Sequence, residues 1–302
     1  MKKYLRYADV LVLFAGAVGL LLQLIIHLGG TDEKNLYPHN HPAWVLLCLF
    51  SVAVLVFLWA LTRQVGVDTS FHKNFPASTL GAVTTALAAV GIAVTALATF
   101  NGKLLNTLGG LAGLLSAAGL LLAAWSRFRG QRPHFLCHAM PAAFFALRIF
   151  LLGQELGAEP EAVRYLFQMF ASMALVLACY QLWGFAVDMG HRDKCLFWTL
   201  TSAYLCITAV AAKENWLLYL TCAPWMLTNC CSLKYLPKRM RSATEQPDAD
   251  ITQPTAETEP AVQAFQSADK DSPVSTPVDP VESIDPDTIL AEILREIDKN
   301  VE

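Results

Sequence analysis

RPHFLCHAMPAAFFALRIFLL, residues 132–152, is either a binding site or a membrane helix that carries awkward residues. About 20 apolar residues suffice to cross the hydrocarbon core of a bilayer, and this run has that length. It also contains His134, Cys137 and His138 at helical spacing, Pro141 in its middle and Arg148 deep among apolar neighbours. What surrounds the stretch decides between the two readings.

The chain has 302 residues, 55% hydrophobic and 16% charged, with a mean hydropathy of +0.42. That is too apolar for a soluble domain of this size, so the excess must face lipid. The net charge of −3 averages two unlike parts. Up to Arg241 there are 19 Lys and Arg against 10 Asp and Glu, and beyond it 3 against 15. A basic membranous part therefore precedes an acidic soluble one.

Eight segments approach or reach spanning length: Ala8 to Leu28, Ala43 to Thr62, Ala77 to Thr99, Leu104 to Trp125, Phe135 to Leu152, Arg164 to Val187, Cys195 to Ala212 and Trp216 to Ser232. Hydrocarbon offers no partner for backbone groups, and the alternation of a barrel strand is absent, so each is expected to be a helix. The first follows Lys2, Lys3 and Arg6 like a signal peptide, but lacks a small-x-small cleavage site and reads as an uncleaved span. The expected fold is thus an all-α polytopic membrane protein, a bundle of about eight transmembrane helices over residues 1–241.

Lys and Arg in the loops divide 14 to 4 between the two sides, which places both termini in the cytoplasm of a plasma-membrane protein. The third and fourth segments are joined by the short turn FNGK and carry Gly91, Thr95 and Thr99 on one and Gly109, Gly113 and Ala117 on the other. Small residues at four-residue spacing let backbones approach, so these two are expected to form the tightest pair through those residues. The eight cysteines form no C-x-x-C pair and are read as reduced packing residues.

Enzyme signatures are missing. There is no H-E-x-x-H, G-x-S-x-G, phosphate loop, dinucleotide fingerprint or intramembrane aspartate pair. The chain is therefore expected to be non-enzymatic and without a resident cofactor, and nothing suggests nucleic acid as a partner.

Two binding sites remain conceivable. His134, Cys137 and His138 would share one helix face at i, i+3 and i+4, near His72, His191 and Cys195 on the same side, and imidazole and thiolate suit zinc, copper or iron. A second loose cluster, His27, His39 and His41, lies on the outer side and reads as a solvated loop. Arg148 is the sharper feature, because a charge within a span costs roughly 2.5–3.5 kcal/mol on insertion scales and usually faces a bundle interior or water. Gln23, Asn106 and Gln168 fall at a similar depth, and Glu155 shares its helix face. These five could line an outward-open pocket for an anion; the competing role for Arg148 is to reach the headgroups or pair with Glu155 or Glu161 as a structural lock. Pro141 and Pro224 should loosen their helices at the carbonyls of Cys137 and Leu220.

Residues 242–284 are rich in Pro, Thr, Ser, Asp and Glu and too poor in apolar residues to fold, so they form a disordered acidic linker. Residues 285–302 then offer Asp285 and Pro286 as a helix start and an apolar stripe of Ile289, Leu290, Ile293, Leu294 and Ile297. The first functional reading is recruitment of a cytoplasmic protein through this helix, with Ile289, Ile293, Leu294 and Ile297 as anchors. The second is a transporter or small-ligand receptor using the pocket around Arg148. The third is an intramembrane metal or haem protein using the His134 group.

Overall fold

The computed structural model describes residues 5, 7–29, 42–63, 65, 69–100, 103–158, 162–211 and 215–234, with the side chains of 27–29, 155–158 and 162–165 outside that description. The linker and C-terminal helix, with Ile289, Ile293, Leu294 and Ile297, also lie outside it, as do His39 and His41. Among the described residues there are nine helices and no strand: α1 (Ala8–Gly29), α2 (Pro42–Thr62), α3 (Phe71–Asn74), α4 (Thr79–Thr99), α5 (Leu104–Arg129), α6 (Leu136–Ala158), α7 (Ala162–Ala186), α8 (Arg192–Ala209) and α9 (Trp216–Lys234). Six of them, α1, α2 and α4 to α7, are long and apolar enough to cross a membrane. The protein has the build of a multi-pass helical membrane protein.

Each long helix runs within a few residues of the segment expected from its apolar run, and the ends are set by local chemistry. Ser78 caps α4 by accepting the Gly81 amide at 3.1 Å. Gly130 ends α5 in the left-handed conformation at φ 68°, where a side chain would be strained. Pro141 and Pro224 sit inside α6 and α9 without ending them. Near Pro141 the Ser116 hydroxyl of α5 bonds the Ala112 and Met140 carbonyls, which ties α6 to its neighbour one residue before the proline.

The packing explains why α8 and α9 are less apolar than the rest. In α1 and α2 only 28% of the spanning window is buried. In α8, by contrast, 13 of 18 residues are buried, including Thr199, Thr201, Ser202, Tyr204 and Thr208. Helix α8 packs against α7, α9, α1 and α2, and α9 packs against α8 and α4. A helix enclosed by other helices meets little lipid and can carry hydroxyls, provided they find partners. The Tyr204 hydroxyl meets Ser51 of α2 at 2.8 Å, and Thr208 bonds the carbonyl one turn back.

Helices α4 to α9 close on themselves, since consecutive members touch and α9 returns to α4; α1 and α2 lie against α8. The polar contacts of one end show the helices alternating in direction. The amide of Ser78, before α4, bonds the Arg127 carbonyl near the end of α5. Arg132, before α6, pairs at 2.7 Å with Asp188, after α7. Arg192, at the start of α8, grips the Leu233 carbonyl at the end of α9, and Asp9 of α1 pairs with Lys234. Arginines on C-terminal carbonyls satisfy groups the helix itself leaves unbonded.

The small residues do not form a single seam. Helices α4 and α5 are indeed closely paired, through Gly110 against Phe100 and Gly113 against Ala96. Gly91, however, abuts Thr221 of α9, and Gly109 abuts Leu151 of α6. The expected stripe thus serves three contacts: Gly91 meets α9, and the Gly109–Gly113 face of α5 meets α6 as well as α4. Gly16 and Gly19, which the sequence analysis passed over, bring α1 against Ile207 and Thr208 of α8. All eight cysteines are free, and six are buried.

Candidate functional site

Arg148 lies on α6, and its side chain is 5% exposed. It does not reach the bundle surface, so the headgroup-reaching role is not the one it plays. Its Nε and Nη2 are buried and have no hydrogen-bond partner among the described residues. These two atoms form one edge of the guanidinium, the fork that binds both oxygens of a carboxylate or phosphate. Arg192 shows the same edge at work, with Nε at 2.8 Å from the Leu233 carbonyl and Nη2 bonded to the same oxygen. On Arg148 the equivalent edge has no partner among the described residues, which do not include the side chains of Glu155 and Glu161.

Around it stand neutral polar groups from two other helices. Arg148 lies near enough for its charge to act on the Tyr219 hydroxyl of α9. That hydroxyl donates to the Gln168 carbonyl of α7 at 3.1 Å and lies 3.1 Å from the Ser172 hydroxyl, which itself bonds the Gln168 carbonyl at 2.8 Å. Gln168, Ser172 and Tyr219 are fully buried. These groups are held to one another by hydrogen bonds, in surroundings where an unpaired charge is costly.

Of the five residues proposed for this pocket, Arg148 and Gln168 fall on the adjoining helices α6 and α7, and Asn106 is half-buried in the first turn of α5, which packs on α6. Gln23 is buried, with Oε1 unbonded among the described residues, but its helix α1 packs on α2, α8 and α9 rather than on α6. The Glu155 side chain lies outside the described residues. Ser172 and Tyr219 were missed; a hydroxyl in an apolar helix is too common to stand out without its neighbours.

The histidine and cysteine group is not assembled as its spacing implied. Helix α6 starts at Leu136, so His134 precedes it, exposed against Phe135 with Nδ1 accepting the Leu136 amide. Cys137 and His138 are buried inside the bundle. Among the described residues no three His, Cys, Asp or Glu side chains stand together as a metal site.

The basic end of the bundle holds a second polar centre. Arg127, read from sequence as a loop charge, turns inward: Nη1 donates to Asn229 at 3.1 Å, Nη2 bonds Ser232, and the Phe75 ring lies 4.9 Å from its guanidinium carbon. Phe71 and Phe75 reach this place from α3 and the residue after it, and Phe75 packs edge-on against Phe185. The two phenylalanines in the polar segment SFHKNFP were the available signal. A wider apolar cavity of about 440 Å³ between α2, α7 and α8 is lined by Phe167, Phe170, Phe197 and Trp198 and offers little polar chemistry. Comparisons of the chain with protein families, with curated proteins and with solved structures each find no match, so the reading of these sites rests on the chain's own residues.

Proposed function

We propose that this chain is an eight-span plasma-membrane protein, both termini cytoplasmic, that binds a small carboxylate or phosphate ligand at Arg148 as a receptor or transporter. The observation that carries the reading is the Nε and Nη2 edge of a guanidinium that is 5% exposed and finds no partner for that edge among the described residues. A bundle interior has no water to spare for such a group, and an anion supplies both acceptors and the missing charge. The alternating directions of the long helices and the enclosure of α8 and α9 support the eight-span count. The loop charges support the orientation, which puts Arg148 in the outer half. The role asks for binding and release, with no covalent chemistry.

The test is ligand-dependent melting of the purified full chain with inorganic phosphate, succinate or lactate at fixed ionic strength. A ligand present at a hundred times its dissociation constant adds about 2.7 kcal/mol of stability. Removing the charged partner of a buried pair costs roughly 2–5 kcal/mol, so Arg148→Leu should lose the shift. Arg148→Lys keeps the charge without the fork and should keep part of it. A shift of equal size in all three proteins would end the proposal.

The amphipathic stripe of Ile289, Ile293, Leu294 and Ile297 supports a separate role for the tail, docking a cytoplasmic protein in a helix-in-groove mode. The acidic residues beside it, Asp287, Glu292, Glu296 and Asp298, disfavour an anionic membrane surface as the occupant.

A further inference from the structure

We infer that the basic end of the bundle holds one small inorganic anion, of the halide class, in a cavity between Arg127, His138 and Asn229. This site is distinct from the one at Arg148, and its argument does not depend on that one. The cavity leaves about 20 Å³ for the centre of a water-sized sphere and is lined by Thr85 of α4, Ala123 and Arg127 of α5, His138 of α6, Leu182 of α7, and Trp225 and Asn229 of α9, with Phe71 and Phe75 over it. A cavity of this size has room for a water or a monatomic ion, and its small volume favours those over a carboxylate or phosphate.

Three of the lining residues carry buried polar atoms without a partner among the described residues: Arg127 Nε, His138 Nδ1 and Asn229 Nδ2. His138 is 7% and Asn229 4% exposed. The first and third atoms can only donate, and His138 Nδ1 donates in the tautomer that carries its proton there. A water accepts two hydrogen bonds, whereas a halide accepts three or more and supplies charge as well. An opposite charge is what Arg127 lacks among the described residues. Its other nitrogens bond the neutral Asn229 and Ser232, and the ion pairs formed among the described residues use Asp188 and Asp9 elsewhere. Among the described residues no carboxylate lines the cavity.

His138 and Arg148 are ten residues apart on α6, which at 1.5 Å per residue puts those two positions about 15 Å apart along the helix. Their occupancy can therefore be read separately. The full chain is melted in sodium chloride and in sodium gluconate at equal ionic strength, since gluconate is too large to enter, and crystals are grown in sodium bromide. Chloride should raise the melting temperature by several degrees, saturably. Asn229→Leu and His138→Phe should each lose most of that shift, and Arg148→Gln should keep it. Bromide should give an anomalous peak within hydrogen-bonding distance of Asn229 Nδ2 in the unmodified protein, which decides the matter even where the variants fail to fold. Equal melting in the two salts, or ordinary water density in the cavity with no anomalous peak there, would overturn the site. A peak at Arg148 alone would do the same while supporting the other reading.

Discussion

Gly91→Ala tests whether α9 belongs inside the bundle. A Cβ built on Gly91 lies 2.9 Å from Thr221 Cβ and 3.1 Å from its Cγ2, and overlaps the Oγ1. Carbon atoms pack best at roughly 3.5–4.0 Å. Rotating Thr221 cannot relieve the first of these contacts, because its Cβ is fixed to the backbone of α9. The hydroxyl is also held by the Leu217 and Leu218 carbonyls, each at 3.0 Å. Helices α4 and α9 must then part by more than half an ångström, where close packing tolerates little. Overpacking of this kind costs about 1–3 kcal/mol. Reversible unfolding in detergent should show that loss for Gly91→Ala, and the pair Gly91→Ala, Thr221→Ala should recover a large share of it. If Gly91→Ala is neutral, or if its cost is unchanged when Thr221 is shortened, α9 does not pack against α4 at this level and the closed arrangement is wrong.

Four further outcomes are expected. In intact cells a cysteine placed at Glu159 should react with an impermeant reagent and one placed at Gln131 should not; the reverse would invert the orientation. Asp188→Asn should cost no more than about 1 kcal/mol, because both side chains of its pair with Arg132 are well exposed. Asp9→Asn should cost more, though less than the roughly 3–5 kcal/mol of a fully buried pair, because Lys234 is 2% exposed and Asp9 is 26% exposed; equal effects on chemical denaturation would remove the Asp9–Lys234 lock from the account. A peptide of residues 283–302 should retain a cytoplasmic protein that its Ile293→Asp, Leu294→Asp version does not, and equal recovery by both would end the docking idea.

What a sequence conveys about such a chain is depth along each helix, and what it withholds is rotation about it. Apolar run length located every long helix, including α8 and α9, whose hydroxyls lower their hydropathy because other helices surround them. It placed Arg148 and Gln168 on adjoining helices of one bundle. Which face of each helix meets which neighbour depends on packing with segments far away in sequence. Gly91 was therefore paired with α5 when it serves α9, and Gln23 sits on a helix whose main packing is against α2 and α8. His134 was counted on a helical face although the helix begins two residues later. Arg127 was scored as a loop charge, yet its long side chain turns back along α5 into the bundle.

The central claim is that Arg148 is kept for a ligand at the expense of stability, and the melting of ligand-free Arg148→Met measures this most directly. A buried guanidinium edge that has no partner among the described residues costs stability, and a well-packed apolar side chain removes that cost. The account predicts that Arg148→Met melts at or above the temperature of the unmodified chain without ligand, and fails to gain from phosphate or succinate where the unmodified chain does. A lower melting temperature without ligand, in a variant that gains as much from those anions as the parent, would make Arg148 a structural lock and contradict the account.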